Sequence, residues 1–283
     1  MGRPKAPVPA FDDVSPWGSY PPTRKISALL ALAHKMPSAL SAITKALRRP
    51  VKYSWPGPLD IEIWGMNLRL MPRGNMSEQK LLTAPQLFDH EEFATLQRLL
   101  VPGGVFVDIG ANAGVYSFWA HVCMKGQGRI VAVEPDPEMR RRITFNMATN
   151  GISTIELFPF ALSDRMGVAE LRINPTQRGT NTLDAGEAAR AGGGRDILEV
   201  EVTTLLDLVM RAGLDRIDAL KLDIEGHEPP VLQHFFDNAP EALMPRTVIS
   251  EFKEETVRPI LALLESHGYR RHETTKLNFI FER

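Results

Sequence analysis

From Val105 to its end the chain alternates between short apolar runs and segments spaced like helices, and few folds accept that alternation. Residues 105–109, 130–133 and 155–160 read as buried strands, with helices over 115–124 and 136–150 between them. Strand, helix, strand in that order predicts a parallel sheet covered by helices on both faces. A glycine- and alanine-rich stretch over 184–196 interrupts the pattern. It resumes with strand 198–202, helix 203–212, strand 219–223, helix 229–236, strand 247–252 and helix 255–266. Residues 269–274 and 277–281 close the chain as two strands whose link is too short for a right-handed parallel crossover. The terminal strand should therefore run antiparallel to the rest.

The preceding sequence is organised differently. Six prolines among the first 22 residues predict an extended, flexible arm over 1–22. Residues 23–49 read as one or two helices broken near Pro37, carrying Arg24, Lys25, Lys35, Lys45, Arg48 and Arg49 and no acidic residue. Such a basic face is either a solvated helix surface or a place of peripheral contact with an anionic membrane. DIEIWGMNLRL, residues 60–70, alternates as a hairpin with its turn near Gly65-Met66 or Met66-Asn67, and 90–100 reads as a helix stopped by Pro102 and Gly103-Gly104. The expected organisation is an arm (1–22), a helical and hairpin extension (23–86) and one α/β domain (87–283).

Composition narrows the classes. At 283 residues and 43% hydrophobic content the chain can bury a sizeable core, and a formal net charge of −1 gives no bulk attraction for nucleic acid. Its single cysteine, Cys123, excludes an internal disulfide and a cysteine zinc cluster. No apolar run approaches the ~18 residues of a membrane-spanning helix. These features predict a cytoplasmic protein without a nucleic-acid partner.

Chemistry concentrates first in FVDIGANAGVYS, residues 106–117, where a strand runs through glycines into a helix and brings bare backbone close to a ligand at the carboxyl end of the sheet. Glu134, at the end of the next strand, stands where an acidic side chain accepts hydrogen bonds from ribose hydroxyls. The pair predicts a nucleoside cofactor. A dinucleotide fingerprint would read G-x-G-x-x-G, whereas here Asn112 replaces the middle glycine between Gly110 and Gly114 and would crowd a pyrophosphate. Asp108 adds negative charge, which disfavours a pyrophosphate and suits an ammonium and a sulfonium together. S-adenosylmethionine carries both.

Four motifs in order, FVDIGANAGVYS, VEPDP (133–137), ALSD (161–164) and DALKLDIEGHE (218–228), make residues 87–281 resemble the FkbM-type S-adenosylmethionine-dependent methyltransferases. The resemblance implies a class I methyltransferase fold: a Rossmann-like, seven-stranded, mainly parallel sheet with an antiparallel terminal strand. It further implies O-methylation of a hydroxyl on a sugar, glycolipid or polyketide-like small molecule. By position it puts Asp108, Gly110, Asn112 and Gly114 around the methionine part of the cofactor, Glu134 on the ribose, and Ser163 and Asp164 on the adenine. Ser-Asp is also a common cap or turn pair.

The cluster Lys221-Leu-Asp223-Ile-Glu225-Gly226-His227-Glu228 ends a strand on the same side of the sheet, where the reacting groups belong. An alcohol acceptor needs alignment and removal of a proton. His227, Asp223 and Glu225 are the candidate bases, and Lys221 reads as structural. A magnesium or calcium ion on Glu225 and Glu228 with Asp223 or Glu251 is the alternative use of these carboxylates; the reading assigns no metal. The strand lacks the Asn- or Asp-Pro-Pro-aromatic run common where planar nitrogen is methylated, which favours a hydroxyl on a small molecule or glycan as acceptor. Residues 179–182 and 185–194 read either as an acceptor-covering lid or as a surface loop. A nicotinamide oxidoreductase and a non-catalytic scaffold remain the competing classes.

Overall fold

The computed structural model describes residues 10–55, 57–183, 186, 196–253 and 256–283. Helices α1 (Arg24–His34) and α2 (Ser41–Ser54) lead to the hairpin β1 (Leu59–Ile63) and β2 (Met66–Leu70), then to α3 (Met76–Thr83) and α4 (His90–Leu99). The alternating part follows as β3 (Gly104–Ile109), α5 (Val115–Cys123), β4 (Gly128–Val133), α6 (Pro137–Asn150) and β5 (Ile155–Phe158). After β6 (Ala161–Leu162), β7 (Gly167–Ile173) and β8 (Asp196–Thr203) come α7 (Leu205–Arg211), β9 (Ala219–Leu222), α8 (Glu228–Asn238) and β10 (Thr247–Glu251). Helix α9 (Val257–Ser266) and the strands β11 (Arg270–Thr274) and β12 (Asn278–Glu282) complete the chain.

Seven strands form one sheet in the order β11-β12-β10-β9-β3-β4-β5. Pairs from β10 through β5 are parallel, and β12 runs antiparallel to both β10 and β11, as the short terminal link requires. Alternate residues of these strands feed two separate cores. Phe106, Ile130, Ala132, Ala219, Ile249 and Ile280 join one. Val107, Ile109, Val131, Val133, Leu220 and Val248 join the other. The first core also contains Ile26, Leu30, Val51, Leu59, Leu68 and Leu81, so the extension covers one face of the sheet.

The strand expected at 198–202 is not in this sheet. As β8 it pairs with β6 and β7 in a separate three-stranded sheet. The sequence contains the reason. LEVEV alternates apolar and charged residues, which suits a sheet buried on one face, whereas β3 and β9, mostly apolar, are buried at every position. The hairpin turn also lies one residue earlier than expected: Trp64 and Gly65 both have positive φ, the conformation a two-residue type I′ turn needs.

Residues 10–22 form no helix or strand, yet they are held, contrary to the expectation of a free arm. Arg69 on β2 is fully buried; it pairs with Asp60 and donates to the carbonyls of Asp12, Ser15 and Pro16 at 2.8 Å each. Its guanidinium also lies over the Tyr20 and Phe145 rings. Residues 1–9 of the expected arm lie outside the described residues. On its other side β2 is held by α6: Asn146 and Asn150 bond the backbone of Arg69 and Asn67 in both directions, taking the place of a neighbouring strand. Burying a guanidinium is tolerable only while its partners remain. Arg69→Met is therefore expected to lower the unfolding free energy by about 3–5 kcal/mol and to open residues 10–22 to protease, measured by denaturant titration and limited proteolysis.

Candidate active site

The site begins where β3 stops. Gly110 has φ +74°, and a Cβ there would lie 2.0 Å from the Asp223 carbonyl oxygen, so only glycine lets the ends of β3 and β9 come this close. Asn112, also left-handed, donates its backbone N–H to Glu134 Oε2 at 2.7 Å, while Asp136 N–H bonds Glu134 Oε1 at 2.8 Å. Each oxygen of Glu134 keeps acceptor capacity, and the residue lines a cavity. Burial raises its carboxyl to about 8.

That cavity encloses about 640 Å³ of empty space, counting the part open to solvent, within the range of small-molecule sites. Gly110, Asn112, Glu134, Asp223, Glu225 and His227 line it among the residues singled out from the sequence. Four others do not. Asp108 is fully buried behind the loop, accepting from Ser117 Oγ at 2.7 Å and facing Lys221 Nζ at 3.7 Å. Gly114 begins α5, and a Cβ there would meet Ile143 and Phe118 at 3.0 Å, so it serves packing. Ser163 bonds His227 Nε2 at 2.9 Å and its neighbour Asp164 at 3.0 Å, and the Asp164 side chain is half exposed.

An apolar wall of Val133, Pro135, Phe160, Leu162 and Leu171 completes the cavity beside Glu134. The sequence reading missed this wall, whose Leu171 comes from the small second sheet. Over it lies a strap, residues 178–183, which contains the 179–182 stretch read from the sequence as a lid or surface loop. Arg178 pairs with buried Asp136 at 2.7 Å, Asn181 donates to the same carboxylate at 2.9 Å, and the Arg178 N–H donates to the Gly74 carbonyl. Residue 74 adjoins Asn75, which caps α3 and donates from Nδ2 to Asn112 Oδ1. The extension thus braces the glycine-rich loop. Apart from residue 186, residues 184–195 of the expected lid lie outside the described residues; 178–183 lie beside Glu134.

On the opposite side, residues 223–227 form a tight turn with positive φ at Glu225 and Gly226. Glu228, 1% exposed, fixes it by accepting from the N–H groups of Ile224 and Gly226. Lys221 stands 3.3 Å from Asp223, and Lys253 donates to Glu225 at 2.7 Å. Burial and the charge of Asp223 raise Glu225 to about 7 and Glu251 to about 9.

The model of the methyltransferase FkbM domain matches residues 108–271. The chain belongs to the FkbM methyltransferase family. It is 31% identical to methyltransferase sdnD of Sordaria araneosa over 58% of this chain and 72% of that protein. It is 26% identical to 31-O-demethyl-FK506 methyltransferase FkbM of Streptomyces tacrolimicus over 60% and 74%. Among solved structures, methyltransferase FkbM of Methylobacillus flagellatus KT matches with a TM-score of 0.41 and 14% identity, over 87% of this chain and 59% of that one.

S-adenosylmethionine is the cofactor of this FkbM methyltransferase, and the cavity fits it. Asp223 presents a carboxylate to a cationic ligand and would repel a pyrophosphate. Glu134 has acceptor capacity for two ribose hydroxyls, and Phe160 and Leu162 offer flat apolar surface to a base.

Two expectations follow from this geometry. Glu134 holds a proton below about pH 8, and hydroxyl donors favour its ionised form. Cofactor binding at pH 7 should therefore release protons and tighten as pH rises from 6 to 8. Calorimetry in buffers of different ionisation enthalpy checks this, and Glu134→Gln should abolish the release. Without cofactor the sign is opposite: a carboxyl raised above its unfolded value stabilises below that value, and the contribution is lost as pH rises through the folded pKa. Stability of the free protein should therefore fall between about pH 5 and 8 for Glu134. Separately, Asn75→Ser keeps a capping oxygen but is too short to reach Asn112; it should weaken S-adenosylmethionine about tenfold, roughly one charge-free hydrogen bond, in the same titration.

Proposed function

We propose that this methyltransferase acts on a hydroxyl oxygen of a small molecule or glycan. The observation that carries the reading is the turn at 223–227, which places Asp223 and Glu225 on the cavity with Glu225 raised to about 7 and Lys253 beside it. A general base works best when its pKa lies near the working pH. The name of the Streptomyces tacrolimicus relative specifies an oxygen, which supports the same choice. S-adenosylmethionine supplies an electrophilic methyl group on a sulfonium.

The chain's own residues do the rest. Glu225 accepts the hydrogen bond of the acceptor hydroxyl and takes its proton as the oxygen bonds to the methyl group leaving the sulfonium, with Lys253 balancing the charge, while Asp223 orients the acceptor through a second hydroxyl. The apolar wall and the strap exclude water from the cofactor side. His227 is engaged by Ser163 at 2.9 Å and positions the turn. Transfer of a labelled methyl group to a panel of polyols, sugars, polyketide-like alcohols and amines tests the assignment, and label appearing on nitrogen alone would overturn it. Glu225→Gln should lower kcat by about 100- to 10,000-fold with cofactor affinity unchanged. His227→Ala should cost less than about tenfold, since a neighbouring group with no proton to move acts only through alignment.

A further inference from the structure

The extension holds a surface that methyl transfer does not use. Residues 23–59 contain seven lysines and arginines and no aspartate or glutamate; since the whole chain carries a formal charge of −1, the remainder carries −8. Charge is thus segregated onto α1 and α2. Helix α1 buries Ile26, Leu30 and Ala33 against the core. Arg24, Ala28, Ala31 and Lys35 follow one another at helical spacing on the opposite side, flanked by Lys25 and Leu32, and all six are exposed. Small alanines lie between the terminal cations, so the helix axis can approach a flat surface while long basic side chains reach to either end.

Apolar side chains accompany these charges. Leu32 is 55% exposed, Leu40 41% and Ile43 48%. The described structure gives Arg24, Lys25 and Lys35 no carboxylate partner. Lys45, Arg48, Arg49 and Lys52 add charge to the same stretch of sequence. Helix α1 is also fixed in place: His34 Nε2 bonds the Leu82 carbonyl at 2.8 Å, and Gln86 donates to the carbonyls of Ala33 and Met36. Contact through this face would cost no folding.

We propose that the α1–α2 face docks peripherally on an anionic lipid bilayer. Cations at both ends of an exposed stripe on α1, with Leu32 beside it and Leu40 and Ile43 exposed at the start of α2, match a surface that is negatively charged outside and apolar just beneath. An acidic protein would satisfy the charges and leave the three apolar side chains unexplained. No helix among the described residues is long and apolar enough to cross a membrane, so the contact is with the surface.

The test is flotation of the full chain with vesicles of phosphatidylcholine alone and with about one third phosphatidylserine, at low and at 0.5 M salt. The proposal expects binding only to the anionic vesicles, loss of that binding in high salt, and a fall of roughly fivefold in partition for each cation removed. Arg24→Ser, Lys25→Ser and Lys35→Ser change exposed side chains, and unchanged S-adenosylmethionine binding reports that the triple variant is folded. Leu32→Ser with Ile43→Ser should weaken partition independently of salt. Absence of binding at low salt, equal binding to neutral vesicles, or full binding by the folded triple variant would overturn the proposal. So would capture by an acidic protein with no vesicle binding.

Discussion

Two strand ends meet at Gly110 more closely than a side chain allows, and the rest of the site is arranged around that approach. Because β3 and β9 converge there, the glycine-rich loop turns toward β4 and the 223–227 turn bends away from it. The cavity is the gap between them. Glu134 holds the first loop by accepting an N–H from Asn112, and Glu228 holds the second by accepting two of its N–H groups. Both loops are therefore shaped by buried carboxylates bonded to backbone, which spares the remaining acids for ligand.

The extension belongs to the same structure. It shares a core with the sheet, ties Arg69 to the segment before it, and reaches the cofactor loop through Asn75. A second buried ion pair, Glu78 with Arg142, joins α3 to α6. Removing one member of such a pair leaves an isolated charge in the interior, so these contacts define how the extension must sit.

The parallel sheet was legible because its strands are short, mostly apolar runs separated by segments of helical spacing. The small sheet was harder to see: β7 and β8 alternate, and their paired residues lie 23 or more positions apart in sequence. Within the site, spacing pointed to Gly110, Asn112, Glu134, Asp223, Glu225 and His227, all of which line one cavity. Asp108 and Gly114, from the same motif, do not line it, since a motif position does not say whether a side chain faces cavity or core. Ser163 and Asp164 follow the same lesson, one bonded to His227 and the other turned to solvent. Arg178 carried no local signal, and reading 179–182 as a loop gave Asn181 no partner; distant Asp136 supplies the role of both.

A two-stranded ribbon such as β1–β2 would ordinarily be a hazard, because each outer edge offers unpaired backbone to any passing strand. Here one edge is taken up by the amides of Asn146 and Asn150, and at the other the Asp60 N–H bonds the Tyr20 carbonyl. Both edges are partly occupied. The segment before the helices and the back of α6 thus act as guards against self-association, and a chain truncated before Tyr20 would expose the ribbon to aggregation.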